Sequence, residues 1–330
     1  MKATRRILFA IRNPVARRQP GLAKAIQVAR ALDATLELFH AITDPVFIEF
    51  ARLEENTVDA LRERIEGEVR IPLARLCATA RKHGVAAESS VSWDYPAHEA
   101  IVRRATAIDA HMIIAECHRG VRRRPWLLHL TDWELLRASP VPVLLLKGGK
   151  PYHRPLTLAA VDPAHVHAKP ANLDGRIVAA AKELCAGLRG KLHVMHASHP
   201  SIIGLDAGAA ARRAARTWST LSYEELQIQE RRAFEEFRVA HGIPRTRAHL
   251  VEGNPAAQIP RMATECRAAI VVMGALSRSG LERIFIGNTA ERILGKLECD
   301  VLVIRPEHFR TRVAREPRGL RVMAPTTAVA

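Results

Sequence analysis

Short runs of apolar residues alternate along this chain with longer stretches in which apolar residues recur at every third or fourth position. The short runs suit strands that are buried on both faces of a parallel sheet. The longer stretches are typical of helices that bury one face and expose the other. This alternation predicts an α/β fold with a doubly wound parallel sheet, in which helices cover both faces of the sheet.

In the first 150 residues the pattern predicts five strands and four helices. They are strand 5–11, helix 20–33, strand 35–41, helix 52–83, strand 86–92, helix 97–107, strand 111–116, helix 130–138 and strand 142–147. Pro72 lies inside the long helix and predicts a kink, because proline removes a backbone donor. The second half repeats this scheme, with a long helix near 221–241 after a looser segment at 201–220.

The sequence of the first half recurs in the second. Met112–Ala115 parallels Ile270–Met273, and Pro142–Leu146 parallels Asp300–Ile304. Both pairs are separated by the same number of residues, which makes a chance origin improbable. The repeated unit is the size of a domain, unlike the short repeats of solenoid proteins.

We therefore predict two tandem domains, residues 1–150 and 151–305, joined at Gly148–Pro151. Beyond Pro306 the chain is rich in arginine and interrupted by proline. This composition predicts a basic, mobile tail over 306–330.

The composition is that of a soluble globular protein, with 48% hydrophobic and 25% charged residues among 330. Five cysteines are scattered without a Cys-x-x-Cys pair, which favours free thiols in a reducing compartment over disulfides or a cysteine zinc site. No apolar run approaches the roughly 18 residues of a membrane span. The apolar stretch at 7–11 is too short for a signal peptide, so we expect a cytoplasmic protein with no membrane partner.

The chain is strongly basic, with 50 lysines and arginines against 34 acidic residues. Such a charge attracts polyanions but identifies no specific partner. Four arginines cluster beside Trp126: Arg119, Arg122, Arg123 and Arg124. Because phosphate contacts need only positive charge, nucleic acid, a lipid head group, a metabolite and a plain solvated loop all stay open for this cluster.

A candidate anion site follows the predicted strand at 270–273. Open α/β sheets bind ligands beyond the carboxyl ends of their strands. Here Gly274 and Gly280 precede Gly287, and Asn288 and Thr289 open the next helix. Glycines permit close backbone approach, and the free amides at a helix start favour an anion. The spacing matches neither a Walker A loop nor a GxGxxG motif.

At these residues the chain resembles the universal stress protein family. Nucleotide-binding members have Gly-x-x-Gly, nine residues, and then Gly-Ser or Gly-Thr. In this chain the motif falls on Gly274, Ser277, Gly287 and Asn288, so two of its positions differ. The acidic residue that contacts adenine in the family corresponds to Asp162.

Two further strings are similar to the tandem, E-type members of that family. They are Leu130–Arg137 in the first half and Gly287–Glu291 in the second. The resemblance covers nearly the whole chain as two copies. It implies a fold like that of the adenine nucleotide alpha hydrolases, with the two domains packed as an internal pseudo-dimer. In the family this docking uses the last strands, here near Val143–Leu146 and Val301–Ile304.

The resemblance implies a non-enzymatic bacterial stress-response protein that requires no cofactor. It also implies that the second half senses an adenine nucleotide, ATP or AMP. The implied binding residues are Asp162, Gly274, Ser277, Gly280, Gly287, Asn288 and Thr289. A regulatory protein partner and a homodimer are further expectations.

The first half departs further from the family motif. Glu116, Arg119, Arg122 and His129 stand where Gly274, Ser277, Gly280 and Gly287 stand in the second half. A carboxylate would repel phosphate, and without the glycines the backbone cannot approach it. We therefore expect the first half to bind no nucleotide.

Two other functions stay open. One is a binding protein for another anionic ligand, such as a lipid head group, a metabolite or RNA, at the cleft between the domains or at the arginine cluster. The other is a slow nucleotide hydrolase, although no hydrolase motif places a base or nucleophile.

Histidines near the end of the strand at 191–198 raise the question of a metal site. His193 and His196 should face opposite sides of that strand, because side chains alternate. His165 and His167 would have to join His196 or His199 from a neighbouring loop. We predict no metal site.

Overall fold

The computed structural model describes residues 5–44, 46–47, 55–117, 130–164, 172–198, 223–275, 288–307, 309–320 and 322–323. The strands are β1 Arg5–Ala10, β2 Ala34–Ile42, β3 Val46–Phe47, β4 Ala87–Trp93, β5 Met112–Glu116, β6 Val143–Leu146, β7 Leu156–Ala160, β8 Lys191–Ser198, β9 Ala248–Glu252, β10 Ile270–Gly274, β11 Asp300–Ile304 and β12 Val322–Met323. The helices are α1 Leu22–Ala31, α2 Glu55–Lys82, α3 Ala97–Ala107, α4 Leu130–Ala138, α5 Leu173–Gly187, α6 Tyr223–Ala240, α7 Pro255–Glu265 and α8 Asn288–Lys296.

Ten of these strands form one continuous sheet in the order β4-β2-β1-β5-β6-β11-β10-β7-β8-β9. The pairs within each half are parallel, whereas β6 and β11 are antiparallel. Leu144 of β6 lies opposite Leu302 of β11. The last strands of the two halves therefore join edge to edge, which confirms the predicted tandem α/β architecture and covers two apolar strand edges.

The predicted elements agree with the structure to within a few residues at each end. The helix predicted at 52–83 is α2, which continues through Pro72 as one helix. The looser segment predicted at 201–220 lies outside the described residues. In the part of the chain that is described, no helix is both long and apolar enough to cross a membrane.

The core is aliphatic and lies on both faces of the sheet. Ile7 and Leu302 pack into a cluster with α1, α2, α5 and α6, whereas Leu8 and Val303 pack with α3, α4, α7 and α8. Each cluster contains residues of both halves. The join between the halves is therefore part of the core itself. Burying one such side chain stabilises the fold by about 1.5–3 kcal/mol.

Asp300, the first residue of β11, collects hydrogen bonds where the two halves meet. One carboxylate oxygen accepts from the backbone amides of Lys147 and Gly148, at 2.7 and 3.2 Å. The other accepts from the hydroxyl of Tyr152 at 2.6 Å and from the ammonium of Lys24. The side chains of Asp300 and Lys24 are only 1% and 6% exposed. This buried ion pair ties the linker and α1 of the first half to the second half.

Part of the tail lies against the first half. The backbone amide of Arg318 donates to Asp94 at 3.0 Å, and its guanidinium donates to Glu99 at 2.8 Å. Arg103 donates to the carbonyl of Ala314 at 3.3 Å. Farther along, β12 pairs with β3, which follows β2 of the first half. The described part of the tail therefore has defined contacts with the first half, and its mobility stays a prediction.

Candidate functional site

The carboxyl ends of β7 and β10 meet at one edge of the second half, since these strands are neighbours in parallel register. Asp162 follows β7, and Gly274 ends β10. Asn288 and Thr289 are the first two residues of α8. Three other residues predicted for this site, Ser277, Gly280 and Gly287, lie outside the described residues, so their part in it stays a prediction.

Asp162 is held in place from two sides. Its backbone amide donates to the carboxylate of Asp174, near the start of α5, at 3.1 Å. Its carboxylate oxygen lies 3.7 Å from Nδ1 of His196, and that nitrogen donates to the carbonyl of Val161 at 3.1 Å. The Asp162 side chain remains 29% exposed. The carboxylate is therefore positioned but still accessible, and it can accept hydrogen bonds from a ligand.

A buried polar cluster lies behind Asp162. Nε2 of His196 is 3.9 Å from the carboxylate of Glu230 on α6, which also accepts from the hydroxyl of Ser198. The ring of Phe234 packs beside His196 at 6.0 Å between centroids. His196 is only 2% exposed, so its imidazole lies in the protein interior and supports Asp162 from the buried side. Sequence reasoning did not single out Glu230, because one glutamate on a charged helix carries no distinguishing signal.

Gly274 has a packing role that is independent of any ligand. A Cβ atom at this position would lie 2.8 Å from Cδ2 of Leu173 and 3.3 Å from Cδ1 of Ile177. Helix α5 thus approaches the end of β10 closely, and a side chain at Gly274 would push it away. The family motif and this helix contact both require a small residue here.

Arg305 comes directly after β11, beside the end of β10, where the amide of Ala275 donates to the carbonyl of Ile304 at 3.0 Å. Its residue surface is only 1% exposed, and the guanidinium carbon lies 4.4 Å from the ring centre of Phe309. Neither terminal nitrogen has a hydrogen-bond partner among the described residues. Burial lowers the pKa of Arg305 to about 10. A buried charge without an anion is costly, which marks this position as one that can gain from an anionic ligand.

Sequence reasoning did not single out Arg305. This residue directly follows the apolar strand run Val301–Ile304. An arginine is usually exposed, so the sequence carries no signal that this one is buried.

The first half has an internal carboxylate at the corresponding place. Glu116 ends β5 and accepts from the backbone amide of Gly21, at the start of α1, at 2.6 Å. A Cβ atom on Gly21 would lie 2.5 Å from that carboxylate oxygen. A negative group is favourable at a helix start, so Glu116 takes the position that an external anion would need. The arginine cluster and His129 lie outside the described residues.

A cleft of about 440 Å³ lies between the two halves. Lys150, His153 and Arg267 line it, together with Glu298 and Asp300. Lys24 also borders the cleft, but its ammonium is bound to Asp300. The cleft therefore presents mixed charges rather than a basic surface.

The histidines predicted to diverge on β8 lie in different surroundings. His196 contacts Val161 and Phe234, whereas His193 stacks on His249 of β9. His165, His167 and His199 lie outside the described residues, so the arrangement considered for them is untested.

The chain is similar to known proteins over most of its length. A sequence model of the universal stress protein family matches residues 3–147 and 171–305. Universal stress protein E of Escherichia coli K12 is 26% identical in an alignment of 302 residues that covers 89% of this chain and 92% of that protein. A Haemophilus influenzae homologue of universal stress protein E is 31% identical over 179 residues, 53% of this chain and 55% of that one.

Solved structures agree with this fold. A functionally unknown protein from Pseudomonas aeruginosa PAO1 has a TM-score of 0.67 and 26% identity, over 92% of this chain and 94% of its own. A universal stress protein from Archaeoglobus fulgidus has a TM-score of 0.60 and 16% identity, over 90% of this chain and 98% of its own. Both likenesses extend over the two halves, as does the family match. The chain therefore belongs to the universal stress protein family and contains two tandem copies of its domain.

Proposed function

We propose that this chain is a non-enzymatic stress-response protein whose second half binds an adenine nucleotide at the carboxyl edge of β7, β10 and β11. The observation that carries the proposal is the buried guanidinium of Arg305, which has no hydrogen-bond partner among the described residues. A phosphate group would supply the negative charge and the acceptors that this guanidinium needs. The partial family motif at Gly274, Gly287 and Asn288 adds support from the sequence.

Asp162 would recognise the rest of the nucleotide. Its carboxylate is an acceptor, and adenine and ribose offer amino and hydroxyl donors. Asp174 and His196 hold Asp162 without closing it off, as its 29% exposure indicates. The Arg305 guanidinium can pair with an anion, and the Asp162 carboxylate can accept hydrogen bonds. Together they suit a molecule with a phosphate at one end and donors at the other.

The first half would serve as a structural partner. Glu116 supplies its own carboxylate at the start of α1, and the tail lies along Asp94 and Glu99. Both features favour a first half without nucleotide.

The geometry favours binding over hydrolysis. Nδ1 of His196 lies 3.7 Å from the Asp162 carboxylate and already donates to a backbone carbonyl. At 2% exposure it is not presented to a bound phosphate or to water. A general base must reach the proton that it removes, so this imidazole is a poor candidate.

Mg-ATP or AMP should raise the thermal unfolding temperature of the chain. At about 100 times its dissociation constant, a nucleotide should stabilise the folded chain by about 2.7 kcal/mol. Arg305→Met should lose most of this stabilisation, because a charge-assisted phosphate contact is worth roughly 1.5–3 kcal/mol. The ligand-free variant should be as stable as the unchanged protein or more so, since a buried unpaired charge is removed.

Asp162→Ala should weaken binding as well, and Arg315→Met is the matched control, because Arg315 is exposed. No stabilisation at millimolar nucleotide would contradict the proposal, and so would equal stabilisation in Arg305→Met. If inorganic phosphate protects as well as AMP does, the site recognises an anion without adenine. The chain would then be a binding protein for another anionic ligand. Release of phosphate from ATP that is lost in Arg305→Met would indicate a hydrolase.

A further inference from the structure

A cluster of nitrogen and sulfur side chains lies in the second half, near the amino ends of β8 and β9. It consists of His193 on β8, His249 on β9 and Cys266 just after α7. The candidate ligand atoms of all three lie within 4.8 Å of one another. Nδ1 of His193 is 2.9 Å from Nε2 of His249, and the two rings stack with 5.1 Å between centroids and 16° between planes.

The fold brings these residues together from three separate elements. His249 lies opposite Met195 in the parallel register of β8 and β9, and His193 precedes Met195 by one full strand repeat. Both imidazoles therefore lie on the same face of the sheet. Helix α7, which connects β9 to β10, packs against β8 and ends beside them with Cys266.

A fourth soft donor lies next to the thiol. The sulfur of Met262, one helical turn before Cys266, is 3.3 Å from the Cys266 sulfur. Residues four apart lie on the same face of a helix, so the thioether and the thiol are presented together. The cluster thus offers two imidazoles, one thiol and one thioether.

This donor set selects a class of metal. Hard cations such as Mg²⁺ and Ca²⁺ require oxygen ligands, whereas soft sulfur ligands suit copper(I) and zinc, and imidazole also suits both of these metals. Zinc sites use cysteine, histidine and carboxylate ligands, so a methionine sulfur gives zinc no advantage. Two histidines and a cysteine with an adjacent methionine match copper best.

The charges around the cluster point the same way. Burial, and then the neighbouring His249, Arg247 and Lys191, lower the pKa of His193, and burial lowers the pKa of His249. A metal ion binds the neutral form of an imidazole, which is the form that a lowered pKa favours. Burial, with Glu265, raises the pKa of Cys266, so metal binding would release a proton and leave a thiolate. A singly charged ion is repelled less by Arg247 and Lys191 than a doubly charged one.

We propose that His193, His249 and Cys266, with Met262 beside the thiol, form a binding site for copper(I). All four residues are partly exposed, so an ion can reach them from solvent. Two ligands about 2.0 Å from one ion at tetrahedral angles lie about 3.3 Å apart. The two imidazole nitrogens share a hydrogen bond at 2.9 Å. An ion would replace that bond once the nitrogens separate by a few tenths of an ångström and both rings turn toward it.

The test is an anaerobic copper(I) titration of the full chain without a histidine tag, in competition with a chromophoric copper(I) chelator. We expect one copper ion per chain at this site and the ultraviolet absorption of a copper–thiolate bond. Cys266→Ser and His249→Gln should each weaken binding by roughly 100-fold or more, and Met262→Leu by about 10-fold. Cys299→Ser is the matched control, a partly exposed cysteine outside the cluster, and should bind copper unchanged.

Far-UV circular dichroism checks that each variant is folded. If either Cys266→Ser or His249→Gln fails to fold, the other still tests the site. Copper binding that is equal in the unchanged chain, Cys266→Ser and His249→Gln would overturn the proposal. A parallel titration with zinc separates the two metals. Zinc that binds at least as tightly as copper(I), with no effect of Met262→Leu, would also overturn it.

Discussion

Asp300→Ala is expected to destabilise the folded chain by about 3–5 kcal/mol, the usual cost of breaking a buried ion pair from one side. The substitution leaves the ammonium of Lys24 buried at 6% exposure with its carboxylate partner gone. It also removes the acceptor for Tyr152 and for the linker amides of Lys147 and Gly148. The measurement is urea unfolding, in which the midpoint should fall.

The double variant Asp300→Ala, Lys24→Met should be more stable than Asp300→Ala alone, because the unpaired ammonium is then absent. Glu298→Ala is the matched control, since Glu298 lies two residues earlier, just before β11, and is exposed. Its effect should stay within about 0.5 kcal/mol. If Asp300→Ala and Glu298→Ala unfold at the same urea concentration, the buried pair does not join the halves.

Arg103→Met is expected to cost a similar amount, about 3–5 kcal/mol, and to release the tail. Arg103 donates to both carboxylate oxygens of Asp94, at 2.6 and 2.8 Å, and both side chains are more than nine-tenths buried. Without Arg103 the carboxylate of Asp94 stays buried and uncompensated. Arg103 also donates to Ala314, and Asp94 accepts from the amide of Arg318, so two of the contacts that hold the tail depend on this pair.

Two measurements separate these effects. Urea unfolding reports the loss of stability, and limited proteolysis reports cleavage in the tail at denaturant concentrations where the domains stay folded. Arg64→Met on α2 is the control, because Arg64 is exposed. Cleavage of the tail at the same rate in Arg103→Met and in the unchanged chain would show that the Asp94–Arg103 pair does not hold it.

Much of the fold could be predicted because burial leaves a periodic trace in the sequence. Val301–Ile304 and Leu144–Leu146 are apolar at every position because their strands are covered on both faces. The equal spacing of matching strings revealed the two domains. The antiparallel join of β6 to β11, by contrast, was expected only from the family resemblance, since apolar edges do not specify their partner.

The features that were missed depend on long-range packing. His193 and His249 meet across two strands that lie 56 residues apart in sequence, and Cys266 reaches them only because α7 crosses the sheet there. The contacts of Arg318 with Asp94 and Glu99 span more than 200 residues. No local spacing identifies such partners, because they are set by strand register and helix placement.

The antiparallel join of β6 and β11 makes the association of the two domains a reaction within one molecule. Between two separate molecules this pairing would be bimolecular, and dilution would dissociate it. Within one chain the second strand is always present at a high effective concentration, so the pairing is unimolecular and independent of protein concentration. The ten-stranded sheet is therefore expected to persist at any dilution at which the chain is folded, and every molecule contains one copy of each half in a fixed ratio.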